Sequence, residues 1–548
     1  MIEVWKSLLT LKQQYPNYMT EEEINLENSY LEDFSIVELC KNVKSLSLSF
    51  NIIRSFVPNT EFKNLKELRI SRCSLEEFNV KADLETLSIY YNSFKQLSFL
   101  AKYKNLIKLD VSENDLSDLN SLNSLELLQK LQELNANRCQ LVNASKIFQL
   151  VNLKHLDLNS NYISDVSNIS NLINLEYLDI SHNESICVIG SLISLVCMKQ
   201  LNVDNTGLVS LNGVQNMKQI IQLKASNNKL QNVDELMDWK SIEELNLTGN
   251  LINDLKGLQN IRNIKELQIN CNNLRSLKGL PNYSTLRELQ LTDNPCIESL
   301  DEIEYLPNLQ YIIIYRCKLK SLKNISERLP NITMLALYDN ELTSLKDIQN
   351  LQYLQNLFVE NNQIENLDGL QNLKQLTCVN IAKNKLQTLK HLEGSSTQIN
   401  DLNISSNNLK SLDGLQYLPT LIKLDANNNN ISSLFYLQHS YNMEFINLDQ
   451  NNIIDLRQLL FLQKLSKLGN IWLSNAGQHG NPICDNLIFS QYATKTLPHV
   501  ETFQYVIDDD HGVYYYNSPF YNEDRFDVHV INIETELTEE LIELLKIE

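Results

Sequence analysis

"LKHLDLNSNYI", residues 153–163, decides the fold. Apolar residues stand at its first, fourth, sixth and eleventh positions, and an asparagine stands at the ninth. The same frame returns as "LIKLDVSENDL" from Leu106, "IEELNLTGNLI" from Ile242, "LQNLFVENNQI" from Leu354 and "LIKLDANNNNI" from Leu421. Aligned on it, repeat units start at 43, 65, 84, 106, 131, 153, 175, 198, 220 and 242, and again at 264, 286, 309, 332, 354, 376, 399, 421, 443 and 468. Of the 19 intervals, 12 are 22 residues and four are 23, a phase too regular for chance. A worn copy, "EEEINLENSYL" from Glu21, brings the array to about 21 units.

The spacing dictates a unit. Its fourth and sixth residues (Leu156 and Leu158) point inward from a short strand, while the third, fifth and seventh point outward. Successive strands pair in parallel at about 4.8 Å per step. Each second half, such as "LKGLQNI" from Leu255, is short, which predicts 3₁₀ turns and not long helices on the return path. The ninth-position asparagines, including Asn114, Asn161, Asn250, Asn340 and Asn362, are placed to bond main-chain groups that the bend buries. Cys73, Cys139, Cys317 and Thr206 take that slot in four units and should bond less well. The expected architecture is an α/β leucine-rich repeat solenoid, a curved arc with a concave parallel sheet and a convex side of 3₁₀ turns.

Composition narrows function. The chain has 548 residues and a formal net charge of -20, which argues against nucleic acid and anionic lipid and favours a basic protein surface. No run approaches the length of a membrane-spanning helix, and the N-terminal "MIEVWKSLLTLKQQYP" reads as a helix and not as a signal peptide. Ten scattered cysteines without a CxxC pair suit free thiols in a reducing, cytoplasmic or nuclear compartment. No phosphate-cradling GxxxxGK[ST], HExxH or GxSxG occurs, and only 13 glycines are present, so the reading is a non-enzymatic chain without a cofactor. The many N-x-[ST] sequons follow from asparagine-rich repeats.

The 22-residue unit is similar to the short repeat of the protein phosphatase 1 regulatory subunit and of bacterial internalins. Asn481, Pro482, Cys484, Tyr492, Leu497 and Pro498 resemble the N-P-x-C…Y…L-P cap of intracellular eukaryotic members, although the usual final L-D reads Phe503-Gln504 here. The division expected is an N-terminal capping helix at 1–20, the solenoid at 21–475, its cap at 476–503 and an extension at 504–548. In that extension strands are predicted near 502–507, 513–516 and 526–533, with a turn at Asp508 to Gly512, followed by an acidic amphipathic helix, "TEELIELLKIE". The resemblance implies a protein-binding scaffold, monomeric when unbound, with a protein phosphatase 1 catalytic subunit as a specific partner. A cytoskeletal or axonemal structural role and an internalin-like adhesin are the alternatives; the adhesin requires an export signal and an anchor that the sequence does not display.

The outward positions are mostly polar, as with Asp110, Asn135, Asp157, Asp179 and Asn202 down the fifth column. Three consecutive units break that rule. The third column brings Tyr311 and Met334, the fifth Ile313, Ala336 and Phe358, the seventh Tyr315 and Tyr338, while Arg316 and Asp339 are neighbours in the eighth and placed to pair. An apolar patch with charge at its rim marks an interaction site. Phe445 and Trp472, on adjacent units, form a second candidate anchor, whereas Phe50, Tyr90 and Tyr91 read as dispersed. His155, Asp157, Tyr177, Asp179 and His182 raise a metal site, but side chains diverging from a sheet do not enclose an ion, so polar surface is the expectation.

Overall fold

A computed structural model describes residues 13–275, 277–280, 283–393, 398–473, 481–506 and 513–516. The chain forms two compact units, Met1–Asn273 with Gly279–Pro281, and Leu274–Lys278 with Asn282–Glu548. Most of the proposed capping helix lies outside the described residues, as do 508–512, the strand near 526–533 and the acidic helix.

In the first unit, parallel strands run from Glu23–Asn25 through Ser45–Ser47 to Glu244–Asn246 and Glu266–Gln268. Each begins at the third residue of a repeat and pairs with its neighbour position for position, as in Leu134↔Leu156↔Leu178. That register keeps one apolar column over the next. Leu156 and Leu158 are fully buried, so the core is a stack of leucine layers behind the sheet. In the second unit the same arrangement runs from Glu288–Gln290 to Asn470–Trp472. Thr502–Val506 adds beside Asn470–Trp472 in parallel, and Val513–Tyr516 then pairs with it antiparallel. The repeat architecture is a leucine-rich repeat solenoid. Its return paths are largely 3₁₀ turns such as Ser167–Asn171 and Lys346–Ile348, with a four-residue α-helix at Ile325–Arg328.

The ninth position holds the layers together. Asn161 donates from Nδ2 to the carbonyls of Ala136 and Leu158 (2.9 Å each), and its Oδ1 accepts the amides of Cys139 (3.0 Å) and Leu141 (2.9 Å). One amide thereby satisfies main-chain groups of two repeats. Cys139 in the same slot donates its thiol to the Val111 carbonyl (3.2 Å), and Cys317 to that of Leu291 (3.4 Å). A thiol fills the space and replaces the donor, but it is a poor acceptor. The last rung among the described residues is Asn481, which donates to the Leu448 carbonyl (2.6 Å) and accepts the Ile453 amide (3.2 Å).

The eighth residue is left-handed in every repeat starting from 21 to 443, from Asn28 (φ 52) to Gln450 (φ 52), with Gly249 at φ 70. β-Branched residues resist that conformation, and none occupies the column. The kink ends the strand and brings the ninth-position amide under the bend.

Candidate functional site

The predicted partner-binding residues fall within the second unit, and the strand register brings the first group together. Tyr311 pairs with Met334, Ile313 with Ala336, and Ala336 with Phe358. Ala336 is buried at the centre. Tyr311 is exposed, while Ile313, Tyr315, Met334, Tyr338 and Phe358 are half-buried. The Tyr338 and Phe358 rings stack with centroids 5.9 Å apart at 23°, and burial pushes the Tyr338 hydroxyl above its usual pKa. Phe445 and Trp472 meet edge to face at 5.1 Å farther along the same sheet.

The rim differs from the sequence expectation. Arg316 does not pair with Asp339; it reaches back to Asp293, with Nε at 2.7 Å and Nη2 at 2.6 Å from the two carboxylate oxygens. Its guanidinium also lies over the Tyr315 ring, 4.6 Å from the centroid. Asp339 accepts from Asn361 Nδ2 instead (2.5 Å). Asp293 and Asp339 stand one strand to either side of Arg316 with the same carboxylate; Asp339 is engaged by Asn361, and the guanidinium takes Asp293 in a forked pair.

The fifth column also does more than face water. Asp110, Asp157, Asp179, Asn380, Asn403, Asp425 and Asn447 each accept the amide two residues ahead, at 2.9–3.1 Å. These Asx turns close the end of the strand. Ile313, Ala336 and Phe358 have no side-chain acceptor with which to do so, which forgoes about 1 kcal/mol per repeat. Arg69 and Lys224 in the same column also lack an acceptor, but only here do three successive repeats place apolar residues there.

In the first unit, Asp157 and Asp179 are register partners, as expected. Asp157 also accepts from Asn137 Nδ2 (3.0 Å) and Asp179 from Asn202 Nδ2 (2.8 Å), while His155 stacks on Tyr177 at 3.9 Å. Among the described residues no group of three or more His, Cys, Asp or Glu side chains is arranged to hold a metal. Burial, with Asp179 adding repulsion, raises the Asp157 pKa. A carboxyl raised in the folded state stabilises most below its unfolded pKa, and that contribution is lost as pH rises through the folded value. Asp157→Asn keeps the turn acceptor and removes the charge. Its urea midpoint should match the parent near about pH 3 and exceed it above about pH 5.

Sequence reasoning missed one cluster. Phe50, Tyr90 and Tyr91 gather around Arg72, whose guanidinium lies 5.5, 5.8 and 4.7 Å from their ring centroids. The signal was present, since Phe50, Arg72 and Tyr91 occupy the eighth position of three consecutive repeats.

Comparison with known proteins agrees with this architecture. The family described as "Leucine Rich repeats (2 copies)" matches residues 151–188. A leucine-rich repeat protein of Leptospira interrogans is similar in structure, with 22% identity and a TM-score of 0.50 over 80% of this chain and 98% of that one. TLR13, solved in complex with ssRNA13, matches with 18% identity and a TM-score of 0.52 over 83% of this chain and 76% of the other. An internalin, inlF of Listeria monocytogenes, is 22% identical over 64% of this chain and 83% of its own, with a TM-score of 0.35. No curated protein matches the chain. The likenesses to the Leptospira protein and to TLR13 show the fold, a leucine-rich repeat solenoid. Among the described residues no helix is long and apolar enough to cross a membrane.

Proposed function

We propose that this chain is a non-enzymatic scaffold that takes a partner protein on the open sheet face of its second unit. The observation that carries the reading is the run Ile313, Ala336 and Phe358, where three repeats forgo the Asx turn and present Tyr311, Tyr315, Met334 and Tyr338 around it. Covering about 500 Å² of such surface is worth roughly 12 kcal/mol before association costs. Arg316, held by Asp293, and Asp339 give the rim fixed charges that orient a partner. Phe445 and Trp472 supply a further anchor. A net charge of -20 favours a basic protein and sets the chain apart from an RNA binder.

The specific partner supported by the repeat and cap resemblance is a protein phosphatase 1 catalytic subunit, met in the cytoplasm or nucleus. The test is a pull-down from native lysate, with purified phosphatase catalytic subunit titrated in parallel. The parent is compared with a Tyr311→Ser, Tyr315→Ser, Phe358→Ser variant that retains its circular dichroism and melting temperature. A stoichiometric partner should be lost from the variant, with affinity down by at least about 100-fold. Equal partners for both proteins would remove the patch from consideration. Loss of a partner other than the phosphatase would keep the scaffold and discard the phosphatase.

A further inference from the structure

The two anchor groups share one sheet face, and the register fixes how far apart they stand. From Phe358 the fifth column steps to Asn380, Asn403, Asp425 and Asn447, and Phe445 lies on the strand of Asn447. Four strand spacings of about 4.8 Å make roughly 19 Å, the reach of about six extended residues.

The floor between the anchors differs from both. Asn380, Asn403 and Asn447 use Oδ1 to close their own turns. That leaves the Asn403 Nδ2 as a donor for a main-chain carbonyl laid across the strands. The third, fifth and seventh columns here carry Asp401, Asp425 and Asp449 against Lys423 as the only cation. Lys383, on the rim, is held by Glu360 at 2.7 Å.

We infer that the partner segment is an extended peptide crossing the strands, with two apolar side chains about six residues apart and Lys or Arg between them. One side chain seats on the Tyr311–Phe358 patch and the other on the Phe445–Trp472 pair. The inference rests on the patch being a docking surface and adds the spacing and the charge. Two weak anchors joined at the right length bind as one strong one, because the second contact becomes intramolecular.

A random peptide display library selected on the full chain tests this. Selected peptides should carry two apolar residues separated by about five to seven positions, with basic residues between. Phe358→Ala and Trp472→Ala should each weaken them by at least about tenfold, and Asp401→Asn with Asp425→Asn should flatten the salt dependence. Where Trp472→Ala lowers the melting temperature, Phe445→Ala replaces it by removing the other ring. Peptides with one apolar residue that ignore the Trp472 and Phe445 variants overturn the two-anchor segment and leave the patch standing. Peptides that ignore Phe358→Ala and Tyr311→Ser as well, or a library that yields none, overturn both.

Discussion

Asn183→Ala is expected to destabilise the first unit by about 3–5 kcal/mol, because each buried polar group left without a partner costs about 1–3 kcal/mol. Asn183 is fully buried, donates to the carbonyls of Leu158 and Ile180 (3.0 Å each) and accepts the Ile163 amide (2.9 Å). Alanine strands the Ile180 carbonyl and the Ile163 amide, and leaves the Leu158 carbonyl with the Asn161 donor (2.9 Å) alone. Asn183→Cys should cost about half as much, since the thiol at Cys139 shows that this slot accepts a sulfur donor while leaving the acceptor unfilled. Urea denaturation measures the loss, and hydrogen exchange at the Ile163 amide locates it. An alanine variant within about 1 kcal/mol of the parent would mean that the ladder is ornamental.

The second large effect is expected at Gly369. It has φ 108, and an added Cβ would lie 2.1 Å from the Leu345 carbonyl oxygen of the preceding repeat. Both the strained backbone and a clash with main chain oppose a side chain, so Gly369→Ala should cost about 3–5 kcal/mol. Gly190 is the control: outside its own stretch of chain, no atom lies within 4 Å of where a Cβ would stand. Gly190→Ala should leave the unfolding midpoint within about 0.5 kcal/mol. Equal melting temperatures for the two variants would show that the return path can shift to relieve the contact.

The strands and their register were legible because a buried column repeated every 22 or 23 residues admits one phase. Two features were hidden for a physical reason. The left-handed eighth position tolerates Phe50, Arg72, Asp339 and Lys383 alike, so no single residue type announces it; only the absence of β-branched side chains does. Arg316 has an aspartate one repeat away on each side, and the choice of Asp293 goes with Asp339 being engaged by Asn361, a contact the spacing alone does not encode. The fifth-column residues looked like ordinary polar surface, and their turn-closing role emerges only when the strand end is seen in three dimensions. That role, once known, makes Ile313, Ala336 and Phe358 a sharper signal than their hydrophobicity alone.

The sulfur rungs have a chemical consequence of their own. Cys139 and Cys317 are buried singly, each facing a carbonyl oxygen, and burial pushes their thiols up to about 12 and about 11. Almost no thiolate exists at neutral pH, and thiolate is the species that attacks disulfides and reacts with oxidants. These two rungs are therefore poor targets for oxidation or disulfide exchange. These two buried cysteines serve as masonry, in contrast to the exposed thiols of Cys187, Cys271 and Cys296.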